Sequence, residues 1–118
     1  MRDGQLSIER IPSATEGLET MKLTGPITLS TLFEMQESFR KNPQPKTIID
    51  LSGVPYMDSA GLGALLSFHG SCKRTGRNYV LAAMAPRVYT MFSASKVDRL
   101  VNIASSVAEA EVFLSLPK

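Results

Sequence analysis

The sequence predicts a single α/β domain over residues 1–118, built on a mixed, mostly parallel sheet with an N-terminal β-hairpin and crossover helices. Three observations lead there. Residues 6–11 and 18–23 alternate apolar and polar side chains on either side of a turn-rich stretch, which is the pattern of a hairpin. From residue 29 onward, segments of helical period alternate with short apolar runs, and that alternation implies parallel strands joined by right-handed crossovers. No repeat, low-complexity tract or long linker divides the chain.

The elements follow in order. Leu6, Ile8 and Arg10 alternate with Ser7, Glu9 and Ile11, and in the second strand Leu18, Thr20 and Lys22 oppose Glu19, Met21 and Leu23. Gly25-Pro26 ends that strand. A helix is expected over 29–41, with Leu29, Leu32, Phe33, Met35 and Phe39 on one wide face interrupted only by Gln36. Lys41-Asn42-Pro43 stops it. Thr47, Ile48 and Ile49 form a buried strand bounded by Pro45 and Ser52-Gly53. The next helix starts at Ser59, places Leu62, Leu65, Leu66 and Cys72 on one face, and stops at Gly76. Residues 79–83 read as a strand, and Pro86 opens a helix facing inward through Val88, Met91, Phe92 and Ser95. A short strand over 100–103 and a capping box, Ser106 to Glu109, opening a helix to about residue 116 complete the order β-β-α-β-α-β-α-β-α.

Composition bounds the function. Hydrophobic residues are 43% and charged residues 20%, which suits one soluble core of ordinary size. A net charge of +2 argues against nucleic acid and against an anionic membrane as partner. One cysteine excludes an internal disulfide and fits a reducing compartment. Residues 1–16 lack the apolar core of a signal peptide, and no run approaches the ~20 apolar residues of a membrane span, so a cytoplasmic location without membrane insertion is expected.

The chemistry concentrates at Asp58-Ser59-Ala60-Gly61-Leu62-Gly63-Ala64-Leu65-Leu66. A serine hydroxyl stands at a helix start, where unpaired N–H groups and the helix dipole favour an anion such as phosphate. On its residues alone, Ser59 reads first as an N-cap. Asp58 is a cap or an orienting group. Ala60, Gly63, Ala64, Ser67, Gly70 and Ser71 make a small-residue stripe, which suits either close internal packing or a docking surface. His69, the only histidine, reads as a locally bonded helix residue, Cys72 as a core thiol, and Asp50 as an acceptor for loop N–H groups. Lys73, Arg74 and Arg77 are cations at a helix C-terminus. No metal-ligand set, P-loop or nucleophile–base set is present in the sequence, so no enzyme and no cofactor is expected.

Those nine residues resemble the signature of STAS domains, and most closely the bacterial anti-sigma factor antagonists. The whole-chain layout resembles the STAS fold. The resemblance implies phosphorylation at Ser59 and a partner-binding surface of Thr28, Asp58, Ser59, Ala60, Gly61, Gly63, Ala64 and Ser67. It implies partner switching: unmodified protein binds an anti-sigma factor, and phosphorylation releases it. The implied partners are an anti-sigma factor/serine kinase of the histidine-kinase-like ATPase type, which brings the ATP, and a phosphatase that resets Ser59. The chain departs from the family at Gly25-Pro26-Ile27-Thr28, where the family's loop usually ends in aspartate. The resemblance therefore does not carry the family's usual kinase contact to Thr28, which on its residues reads as a helix cap. A second reading of the same fold is a STAS accessory subunit of a lipid or solute transporter, a constitutive docking module that needs no phosphate.

Overall fold

A computed structural model describes residues 5–116. The elements are β1 (Ser7–Pro12), β2 (Leu18–Thr24), α1 (Leu32–Arg40), β3 (Lys46–Gly53), α2 (Ser59–Thr75), β4 (Asn78–Ala82), α3 (Pro86–Ala94), a 3-10 turn (Val97–Arg99), β5 (Ile103–Ala104) and α4 (Val107–Ser115). The five strands lie in the order β1-β2-β3-β4-β5. β1 and β2 pair antiparallel as the hairpin, and the remaining pairs are parallel.

Successive strand residues point to opposite faces, and both faces are covered. Met21, Leu23, Ile49, Leu51 and Leu81 pack with residues from α1, α2 and α3 in the main core. Leu18, Ile48, Val80, Ala82 and Ala104 pack with Ala110 and Leu114 of α4 in a smaller second core. β3 thus sits at the centre, with Ile48 and Ile49 both fully buried on opposite faces. α2 stops at Gly76, whose φ of 70° is a left-handed conformation that glycine adopts at least cost.

One ion pair that crosses the chain fixes α1. Arg10 of β1 binds Glu19 of β2 through two bonds of 3.1 and 2.6 Å, and Glu19 is buried. The same guanidinium donates to the carbonyls of Ser38 and Lys41, at 3.0 and 2.6 Å. These carbonyls lie at the C-terminal end of α1, where Ser38 also accepts from the Lys41 N–H at 3.3 Å, so the hairpin clamps that helix end.

Three expectations need correcting. α1 begins at Leu32, three residues later than the pattern suggests. Thr31 is the reason: its hydroxyl donates to the Pro26 carbonyl at 2.8 Å and accepts from the Thr28 N–H at 2.9 Å, which holds residues 28–31 in a turn that competes with helix. Leu29 falls in that turn and is 74% exposed, and Phe33, about 160° around α1 from the fully buried Met35, is 66% exposed. The last strand is Ile103–Ala104 rather than 100–103, because Lys96 turns left-handed and Val97–Arg99 closes a 3-10 turn; Leu100 ends up exposed. The capping box at α4 is one residue longer than read. Ser106 accepts from the Glu109 N–H at 3.0 Å, but the Glu109 carboxylate returns to the Ser105 N–H at 2.8 Å.

Candidate functional site

The site forms where the C-terminal ends of β2 and β3 are drawn together. Beyond the strands, Ile27 and Met57 form an isolated parallel bridge. The Ile27 N–H donates to the Tyr56 carbonyl at 3.2 Å, and the Asp58 N–H donates to the Ile27 carbonyl at 3.1 Å. Two loops far apart in sequence are thereby zipped side by side, with Thr28-Leu29 against Asp58-Ser59. Loops beyond the carboxyl ends of parallel strands are where open α/β sheets carry their sites.

Asp58 organises the junction. It has extended backbone angles, φ −101° and ψ −176°, and is the N-cap of α2. Oδ1 accepts from the Gly61 N–H at 3.0 Å, and Oδ2 accepts from the Leu29 N–H at 3.0 Å. One carboxylate therefore caps the helix and ties down the loop before α1. The N–H of Gly61, followed by that of Leu29, stabilises the ionised form and holds the Asp58 carboxyl below its usual value.

This corrects the reading of Ser59 as the cap. Ser59 is the first residue of α2, because its neighbour supplies a charged acceptor in the conformation an N-cap requires. The Ser59 side chain is exposed, and its hydroxyl makes no hydrogen bond among the described residues. It stands beside a positive helix end with no structural duty.

The small-residue stripe divides in two. Gly61 and Ala64, expected on the docking surface, are buried instead. A Cβ on Gly61 would lie 2.5 Å from the Ile27 carbonyl oxygen and 2.8 Å from Ile27 Cγ2. Glycine there lets α2 start in contact with the neighbouring loop. Gly63 and Ser67 face outward, Ala60 is half-buried, and a Cβ on Gly63 would meet nothing within 4 Å. Thr28 is not the cap of α1: its hydroxyl pairs with that of Ser30 at 3.1 Å, and its carbonyl accepts from Thr31 and Leu32.

Exposed apolar groups that the sequence reading assigned to the core, or passed over, flank this junction. Leu29 is held by its bond to Asp58, Phe33 follows one turn later, and Tyr56, two residues before Asp58, is 40% exposed with Arg87 5.3 Å above its ring. The Thr28-x-x-Thr31 spacing was the available signal, since it marks a side-chain-bonded turn rather than a first helical turn.

The remaining candidates hold structure. His69 Nδ1 lies 2.6 Å from the Tyr79 hydroxyl, so its partner is on β4 rather than on its own helix. Burial pushes the Tyr79 hydroxyl up to about 12, and burial also raises the Cys72 thiol, offset in part by Arg77. Asp50 accepts from the Ser52 N–H at 2.9 Å, as expected of it.

A hairpin-led parallel sheet, carrying at its carboxyl end a helix opened by Asp-Ser-x-Gly-Leu-Gly, defines a STAS-type α/β domain. The chain belongs to the STAS domain family, whose model matches residues 9–110. It is 32% identical over 73 residues to the intermembrane phospholipid transport system binding protein MlaB of Escherichia coli (strain K12), covering 62% of this chain and 75% of that protein. The fold matches the crystal structure of a putative anti-sigma factor antagonist from Thermotoga maritima with a TM-score of 0.78 at 18% identity, over 88% of this chain and 91% of that one. It matches an anti-sigma factor antagonist from Mycobacterium paratuberculosis with a TM-score of 0.77 at 18% identity, over 90% of this chain and 92% of that one.

Proposed function

We propose that this protein is an anti-sigma factor antagonist that works by partner switching, with Ser59 as the switch. The observation that carries the reading is the division of labour at the start of α2. Asp58 does the capping, which leaves the Ser59 hydroxyl exposed and without a structural bond. A phosphate on Ser59 adds about −1.5 to −2 charge. The helix N-terminus favours that charge, and the Asp58 carboxylate is already engaged by two N–H groups, so the fold tolerates it. A partner surface built to receive a neutral serine does not. Ser59, Ala60, Gly63 and Ser67 give a low, small-residue track, and Leu29 and Phe33 beside it offer apolar anchors of the kind that dominate interfaces. Unmodified protein binds an anti-sigma factor/serine kinase of the histidine-kinase-like ATPase type in the cytoplasm. That kinase uses its own ATP to phosphorylate Ser59 and is released, and a phosphatase restores the binding form.

The likeness to a phospholipid transport protein and the neutral Thr28 favour a second reading, a constitutive docking subunit of a transport system. Affinity capture from the native cell, read with the intact mass of the captured chain, separates the two. A soluble serine kinase together with a phosphate on Ser59 supports partner switching. A transporter ATPase with Ser59 unmodified supports the subunit.

A further inference from the structure

A cleft of about 300 Å³ lies between α1 and α2, at the far end of α2 from Ser59. Its lining includes Arg40 from α1, Ser67, Ser71 and Arg74 from α2, and Arg77 just beyond, and it contains no carboxylate. Arg40 is paired with Glu37 on its own helix. Arg77 is held only by neutral acceptors, the hydroxyls of Thr75 at 2.8 Å and Ser71 at 3.1 Å, with its guanidinium 5.8 Å above the Phe68 ring. Arg74 makes no hydrogen bond or ion pair among the described residues. Its Nη1 lies back along the helix, 3.5 Å from where a Cβ on Gly70 would be. Two guanidinium charges thus face one cleft without an anionic partner. The positions 59, 63, 67, 70 and 74 fall within about 80° of arc at 100° per residue, so cleft and Ser59 lie on one face of α2. Along the axis, at 1.5 Å per residue, Ser59 is about 12 Å from Ser67 in the cleft and about 22 Å from Arg74.

We propose that this cleft receives an acidic segment of the docking partner, so that the partner's contact surface is negatively charged along the length of α2. The proposal rests on the partner-docking reading above and deepens it. A single sign of charge on the partner serves both ends. Carboxylates are drawn to Arg74 and Arg77 at one end, and at the other the same negative surface accepts a neutral Ser59 and repels its phosphate. The apolar floor formed by Phe39 and Phe68, whose ring centroids are 4.2 Å apart, lowers the water content around the guanidinium groups and strengthens pairing there.

The test uses the isotopically labelled full chain, with hexaglutamate as probe and hexalysine and pyrophosphate as controls, read by amide NMR. The expected result is saturable hexaglutamate binding with shifts confined to 67–77 and the end of α1. Arg74→Gln weakens it roughly 2- to 5-fold, the range of one exposed ion pair. Arg74 is exposed, so that variant keeps the fold, which the spectrum itself verifies. Ser59→Asp leaves hexaglutamate binding unchanged, since the cationic end of the cleft at Arg74, about 22 Å along the helix, lies beyond the ~8–10 Å screening length at ordinary salt. Absence of binding, shifts spread over the whole surface, equal binding of hexalysine, or binding of pyrophosphate alone each overturns the proposal. None of these outcomes touches the Ser59 switch, which is read separately from the effect of phosphorylation on partner affinity.

Discussion

Replacing Asp58 by alanine removes two bonds at once, and its cost can be worked from the geometry. The bond from Gly61 is an N-cap bond, worth about 0.5–2 kcal/mol. The bond from Leu29 is charge-assisted but exposed, and adds about 1 kcal/mol. The sum is about 2 kcal/mol. With a urea slope of about 1.5 kcal/mol per molar, the unfolding midpoint falls by about 1.3 M. Ser59→Ala, which removes a hydroxyl without a bond, stays within about 0.5 kcal/mol of wild type. The pH dependence has a definite sign. Folding holds the Asp58 carboxyl below its usual 3.8, so the unfolded chain binds that proton more tightly. The gap between wild type and Asp58→Ala is therefore full above the unfolded value, and closes as the pH falls through the lowered folded one. Urea titrations of the three proteins across acidic pH provide the assay. If Ser59→Ala were as damaging as Asp58→Ala, or if the gap persisted below both values, the assignment of the cap would be wrong.

Further outcomes follow from packing. Leu65, on the buried face of α2, is 1% exposed, so Leu65→Ala should lower stability by about 2–5 kcal/mol in chemical denaturation; an unchanged midpoint would show the helix to be wrongly phased. Gly61→Ala should destabilise, since its Cβ meets the Ile27 carbonyl at 2.5 Å, whereas Gly63→Ala should stabilise by up to about 1 kcal/mol, and thermal melts of the pair check the contrast. Cys72 is 1% exposed with its thiol titrating above the usual value, so its labelling by a disulfide reagent near neutral pH should be slow and should accelerate on addition of urea.

Much of the fold is written in local pattern. The hairpin strands alternate, Thr47 to Ile49 are β-branched between turn residues, and Gly76 and Ser106 mark helix ends by their own chemistry. What the sequence hid depends on contacts distant in the chain. Asp58 and Ser59 are both good caps, and the choice between them is helped by the N–H of Leu29, 29 residues earlier. Leu29 continues the spacing of the helix, but the side-chain bonds of Thr31 hold it in a turn outside α1, and Phe33 lies on the side of α1 away from the buried Met35. A helical wheel sets Gly61 and Gly63 about 200° apart, but it does not show how closely anything approaches either one. Only the bridge between Ile27 and Met57 brings a carbonyl against one and not the other. The clamp of Arg10 on the end of α1 spans 28 to 32 residues and leaves no periodic trace.

The central claim is that the charge state of Ser59 sets partner affinity without altering the fold. Calorimetric titration of the captured partner with wild type, Ser59→Ala, Ser59→Asp and enzymatically phosphorylated protein tests it most directly. Wild type and Ser59→Ala should bind alike, because the hydroxyl has no structural bond to lose. The phosphorylated form should bind roughly 30- to 1000-fold more weakly, the equivalent of about 2–4 kcal/mol for an uncompensated charge at a desolvated contact, while melting at an unchanged temperature. Ser59→Asp should fall between. Equal affinity for the phosphorylated and unphosphorylated proteins would contradict the account and leave a constitutive docking module in its place.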